Sequence, residues 1–127
     1  MSFKFGKRSS KNLSEAHPDL QRIFNEVIKH HDCSVTEGTR TKEEQDYLER
    51  TGKSQLKWPN SKHNCSPSLA VDVVPYPIDW DDIPRFKNFC HFVKGVAAGM
   101  GIELVSGGLD WVNFKDYPHF ELKGVNK

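Results

Sequence analysis

Four residues have the types and spacing that chemistry would need: His63, Asp72, Asp116 and His119. His63 sits in a stretch rich in Ser, Asn and Pro that reads as a loop. Asp72 interrupts the apolar run Leu69-Ala70-Val71-Asp72-Val73-Val74, whose β-branched content reads as a strand. A carboxylate in a buried strand is costly unless it is paired or binds a metal. On a period of two, Asp72 shares a face with Ala70 and Val74, while Val71 and Val73 point the other way. The same pattern fits an Asp72 that faces solvent. Asp116-Tyr117-Pro118-His119 puts a carboxylate and an imidazole three residues apart across a stiffening proline. A general base beside a metal ligand needs such a link, although a plain surface turn has the same spelling. Taken together, His63, Asp72 and His119 match the donor set of a catalytic zinc site, three protein ligands with a fourth position for water, although the other histidines and carboxylates offer further combinations. With one anionic ligand the site keeps a net positive charge, which acidifies the water and polarises a carbonyl. Asp116 is then the proton acceptor.

Local patterns name the elements that must hold these groups. Pro18 suits a first helical turn, and Leu20, Ile23, Phe24, Val27 and Ile28 form the stripe of a helix ending near His30-His31. Cys33 to Thr36 reads as a strand. Thr41-Lys42-Glu43-Glu44 is a capping box opening a helix to about Arg50, stopped by Gly52. Residues 53–69 read as loop and Leu69 to Val74 as a strand. Asp79 to Asp82 precede a helix striped by Phe86, Phe89, Cys90, Val93, Ala97 and Met100, with Gly99 and Gly101 at its end. Ile102 to Val105 and His119 to Leu122 are short strands either side of the Gly107-Gly108 turn. Residues 1–13, basic and without periodicity, read as an extended arm. Strands and helices do not alternate regularly, so the expectation is a small single α+β domain over 1–127, with helices packed on a mostly antiparallel sheet.

The 127 residues fit one domain. Fourteen aromatics among 36% hydrophobic residues suffice for a small core. Lys and Arg number 18 against 17 Asp and Glu, which argues against a nucleic-acid binder that works through a large basic face. Residues 1–62 carry 12 basic and 9 acidic groups, and residues 63–127 carry 6 and 8, so the candidate site lies in the anionic half. No apolar run approaches the ~20 residues of a membrane span, and Met1 to Arg8 has no apolar leader core. Cys33, Cys65 and Cys90 are too irregularly spaced for a disulfide framework. Cys90 is expected to be a core thiol and Cys33 a strand-edge or core thiol.

Several segments in fixed order resemble a known family. Ser61-Lys62-His63-Asn64, Pro67 through Pro75, Gly107-Gly108-Leu109-Asp110-Trp111 and Asp116 through Leu122 are similar to the zinc peptidases that act as D-alanyl-D-alanine carboxypeptidases and L-alanyl-D-glutamate endopeptidases. The likeness is strongest to the phage endolysin branch and runs from about His17 to Leu122. The resemblance implies that His63, Asp72 and His119 bind one Zn²⁺ and that Asp116 is the catalytic acid/base, a position that is Glu in some members. It also implies that Arg40, in Glu37-Gly38-Thr39-Arg40-Thr41, assists carbonyl polarisation. A guanidinium at a strand end just before a helix cap is a fixed donor for an oxyanion, though without the motif it would read as a solvated surface Arg. Eight residues separate His63 from Asp72 where many members have six, but Asp72 is the only carboxylate between His63 and Asp79.

The resemblance further implies hydrolysis of the L-alanyl-D-glutamate bond in the stem peptide of bacterial peptidoglycan, with lysis of the wall. Its alternatives are a D,D- or L,D-carboxypeptidase that trims the stem and, from another class, a non-catalytic zinc-containing binding module on the same fold. Asp116 at the acid/base position argues against the module. The expected partner is the stem peptide, with no nucleic acid and no membrane insertion, and the chain is expected to be a monomer. Without a secretory leader, it is expected to be made in the cytoplasm and to meet the wall after release, at host-cell lysis if phage-encoded. Ser61 and Trp111 are candidate substrate contacts. Trp58, Trp80 and Trp111 read as core or cleft-wall residues, Cys65 as a small loop residue near the metal, and Glu121 as a strand-surface residue or a partner of a ligand.

Overall fold

The computed structural model describes residues 3–56, 58–113 and 115–124. The elements are α1 (Lys7–Ser14), α2 (Pro18–His30), β1 (Cys33–Glu37), α3 (Lys42–Arg50), a one-turn 3-10 helix (Lys62–Asn64), β2 (Ala70–Pro75), α4 (Ile83–Gly99), β3 (Leu104–Ser106) and β4 (His119–Leu122). The four strands form one antiparallel sheet in the order β1-β2-β4-β3, as the α+β expectation requires.

Helices α2, α3 and α4 start where the sequence says they should. At α2 the His17 ring accepts from the Asp19 N–H at 3.0 Å and Pro18 occupies the first turn. At α3 the capping box forms: Thr41 Oγ1 accepts from the Glu44 N–H and Glu44 Oε1 from the Thr41 N–H. At α4 Asp82 accepts from the Arg85 N–H, and the chain leaves through Gly101 with φ 73°, a left-handed conformation that favours glycine. Helices α2 and α4 cover one face of the sheet. Phe24 and Phe89 meet Phe120 edge-to-face at 5.5 and 6.1 Å, above a floor of fully buried Val71 and Val73. Because strand side chains alternate, Asp72, His119 and Glu121 must then lie on the other face.

Two features depart from the sequence reading. The expected extended arm at 1–13 is helical from Lys7 onward; its first two residues lie outside those described. Helix α1 has little apolar stripe to betray it, since only Ser9 and Leu13 are buried. It docks instead through polar groups on the outer edge of β1: Ser9 Oγ accepts from the Val35 N–H at 3.0 Å, and Asn12 Nδ2 donates to the Val35 carbonyl at 2.8 Å. The edge strand's open hydrogen bonds are thereby closed. The second departure is a β-bulge in β1. Val35 opposes Val73, but Glu37 opposes Asp72, so Thr36 is the extra residue. Strict alternation would put Glu37 on the core face with Val35. The bulge turns it to the face of Asp72.

Candidate active site

Asp72 and His119 are direct cross-strand partners between β2 and β4, which places their side chains next to each other. His63 arrives from the 3-10 turn. Its Nε2 lies 3.3 Å from Asp72 Oδ1, His119 Nδ1 lies 3.6 Å from the same oxygen, and the two imidazole centroids are 5.2 Å apart. One donor atom from each of the three lies within 4.8 Å of the others, so the group could hold a metal ion.

The remaining ring nitrogens are already committed. His63 Nδ1 contacts the Gly38 carbonyl at 2.8 Å, and His119 Nε2 contacts Glu121 Oε1 at 2.7 Å. Each partner fixes its ring and turns the other nitrogen toward Asp72. Lys62 pairs with Glu121 at 3.2 Å and donates to the Leu122 carbonyl, so the turn carrying His63 is tied to the strand carrying His119. His63 Nε2 and Asp72 Oδ1 are buried without a hydrogen-bond partner. Burying such atoms is expensive, and a cation seated among them would satisfy both. The residues therefore fit a metal ion. Burial works against the Asp72 charge, but His63 and His119 outweigh it and hold its carboxyl well below the ordinary range. Desolvation also opposes charge on His119, yet Asp72 and Glu121 bring it up to about 9.

Arg40 is 8% exposed and lines the cleft beside this group. Its Nε and Nη2 donate to the two oxygens of Glu37 at 2.7 and 2.9 Å, a bidentate clamp that exists because of the bulge. Its Nη1 donates to Gln45 Oε1 at 2.8 Å, and Nη2 stands 3.9 Å from Asp72 Oδ2. Burial opposes the Arg40 charge, but Glu37 prevails and raises its pKa further.

Gln45 escaped the sequence reading. It is fully buried, the one buried residue of α3, and it joins three parts of the site. Besides accepting from Arg40, it donates to Ser54 Oγ at 3.0 Å and to the Leu56 carbonyl, on the wall of the cleft. Gln45→Leu keeps the volume and strands all of these groups. It is expected to lower unfolding free energy by about 1–3 kcal/mol, read by urea denaturation. A midpoint equal to the parent's contradicts the network.

Asp116 reaches the same cleft, of about 450 Å³, from a turn closed by the His119 N–H on the Asp116 carbonyl at 3.1 Å. The turn lies tightly on Gly107, where a Cβ would come within 2.5 Å of the Asp116 carbonyl oxygen. Burial first, and the Asp72 charge second, raise the Asp116 carboxyl, against the pull of His119, His63 and Arg40. Trp111 stands over His119 with centroids 4.6 Å apart. Asp110 roots this loop by accepting from the Ser106 N–H and pairing with Lys94, both at 2.7 Å. Ser61 lines the cleft, and its oxygen accepts from the His63 N–H at 3.2 Å, so it serves first as the cap that presents His63.

The other candidates fall elsewhere. Cys65 is half-buried against the core and outside the metal-holding group. Cys33 and Cys90 are buried thiols, as expected, and burial, then Asp32, pushes Cys33 up to about 12. Trp80 corrects its reading: it is 60% exposed, stacked on Phe86 rather than built into the core or the cleft wall. Among the described residues, no helix is long and apolar enough to cross a membrane.

The family model of phage L-alanyl-D-glutamate peptidases matches residues 1–125. The L-alanyl-D-glutamate peptidase of Escherichia phage T5 is 35% identical, over 97% of this chain and 91% of that one. The crystal structure of the Serratia marcescens L-Ala D-Glu endopeptidase ChiX superposes with a TM-score of 0.80 at 33% identity, covering 94% of this chain and 90% of the other. A family match over nearly the full length, joined to a near-complete structural likeness, places this chain in the phage L-alanyl-D-glutamate peptidase family.

Proposed function

We propose that the protein is a zinc-dependent endopeptidase that cuts the L-alanyl-D-glutamate bond in the stem peptide of bacterial peptidoglycan. One observation carries the reading. The His63–Asp72–His119 group, with buried and unpartnered Nε2 and Oδ1 atoms, borders a cleft that also holds Asp116 and Arg40. Two imidazoles and one carboxylate suit zinc with an open fourth position. When bound by these three residues, zinc supplies a more acidic water and a Lewis acid for the carbonyl.

The chain's own groups do the rest. Asp116 takes the proton of the attacking water and later returns it to the leaving amine. Its raised pKa suits both roles. Arg40, immobilised by Glu37 and Gln45, donates toward the negative charge developing on the carbonyl oxygen. Trp111 walls the cleft above His119, and Ser61 holds the turn that presents His63. The site is complete within one chain and needs no second copy; the protein is read as a monomer that meets the wall once released from the cell that made it.

Elemental analysis of the purified protein is expected to find one zinc per chain. EDTA is expected to stop wall lysis, and added Zn²⁺ to restore it. Zinc-loaded protein that never lyses purified wall would make this a binding module. Glu121→Gln removes the charged acceptor that orients His119. It is expected to weaken zinc affinity by about 10–100-fold, measured by chelator competition. Unchanged affinity would reduce Glu121 to a surface partner of Lys62.

A further inference from the structure

Within five residues of the end of β2, the chain displays a second surface that the peptidase cleft does not use. Tyr76, Ile78 and Trp80 are 54, 42 and 60% exposed, three of the large apolar side chains left open to solvent within a short segment. The segment is held rigidly. The Tyr76 N–H donates to the Asp32 carbonyl at 3.1 Å, Asp79 accepts from the Asp81 N–H at 3.1 Å, and Arg85 donates to the Pro77 carbonyl. The Trp80 indole lies nearly parallel to Phe86, 5.6 Å between centroids at 20°, so one face is supported and the other is open. Phe86 in turn meets Tyr117 at 6.1 Å, and Tyr117 adjoins Asp116. The platform is thus joined, through the buried ring of Phe86 and the half-buried ring of Tyr117, to the turn that carries the proposed base.

We propose that Trp80, with Tyr76 and Ile78, is a stacking platform for the sugar rings of the peptidoglycan glycan strand. The proposal rests on the endopeptidase reading, because the alanine of the L-alanyl-D-glutamate bond is the residue that joins stem peptide to sugar. An enzyme cutting that bond has the glycan close to its cleft. A rigid, supported indole is the surface on which the C–H face of a pyranose packs. Charge selects the sugar over the peptide: Asp79, Asp81 and Asp82 outnumber the Arg85 guanidinium held on the Pro77 carbonyl, a net negative patch that repels an anionic stem and leaves a neutral N-acetylated sugar unaffected. A second protein chain is a poor occupant, since a stable interface needs about 800 Å² and about 20–30 residues from each side.

The test has a binding arm and a kinetic arm, both on the full chain. In the first, N-acetylglucosamine tetramer is titrated while the Trp80 indole N–H resonance is followed, assigned with Trp80→Phe. Saturable movement of that resonance is expected. No movement at millimolar sugar overturns the proposal, as does movement with protein concentration alone, which marks self-association. In the second, kcat/KM is measured on purified sacculi and on a sugar-free peptide containing the L-alanyl-D-glutamate bond. Trp80→Ala is expected to lower the ratio of sacculus to peptide activity about tenfold. An equal fall on both substrates contradicts the platform. A wild type that cleaves neither substrate sinks the endopeptidase reading, and the titration still decides whether the platform binds sugar.

Discussion

Asp116→Asn is expected to lower kcat on purified peptidoglycan by about 10²–10⁴-fold, the usual cost of losing a positioned general base. The amide is isosteric with the carboxyl but cannot accept the proton. The backbone should not notice, because the turn is held by main-chain contacts: His119 N–H to the Asp116 carbonyl and Asp116 N–H to the Gly107 carbonyl, both 3.1 Å. Asp116 lies outside the three-residue group that could hold metal, so zinc content should stay at the parent level. That pairing of results, metal kept and turnover lost, separates a proton carrier from a ligand. Loss of zinc together with activity would instead make Asp116 part of the metal site.

Asp72→Asn is expected to produce the opposite pairing. Asp72 Oδ1 lies at 3.3 and 3.6 Å from the two facing imidazole nitrogens and supplies the group's only negative charge. Its amide variant should lose zinc affinity by more than the about 10–100-fold that changes beyond the ligands cause, and activity should disappear with the metal. Isothermal titration with Zn²⁺ reads the affinity. Retention of parent affinity would move the site away from this group. The variant should still fold, since Arg40 keeps its bidentate clamp on Glu37 and its bond to Gln45.

Particular residues show why some of this was legible in the sequence. Asp72 announced itself as a lone carboxylate in an apolar strand, and antiparallel pairing with His119 supplied the neighbour that periodicity could not choose. The capped helices were equally plain, because Thr41, Glu44 and Asp82 act on backbone groups within a turn of themselves. What escaped depends on contacts between distant segments. Helix α1 buries almost no apolar stripe and is held by Ser9 and Asn12 on Val35, more than twenty residues away. Glu37 belongs to the site only because Thr36 bulges, and a bulge leaves no mark in an alternating pattern. Gln45 looks like one more polar residue among Glu43, Glu44 and Asp46, yet it is the one that turns inward to meet Arg40. Trp80 shows the converse: an aromatic assigned by type to the core or the cleft wall stands outside both.

The central claim is that this cleft cuts one particular amide bond. Its most direct test is mass spectrometry, with end-group labelling, of purified peptidoglycan digested by the zinc-loaded protein. The account predicts new N-terminal glutamate, with alanine retained on the glycan strand. Release of free D-alanine without new N-terminal glutamate would contradict it and make the enzyme a carboxypeptidase.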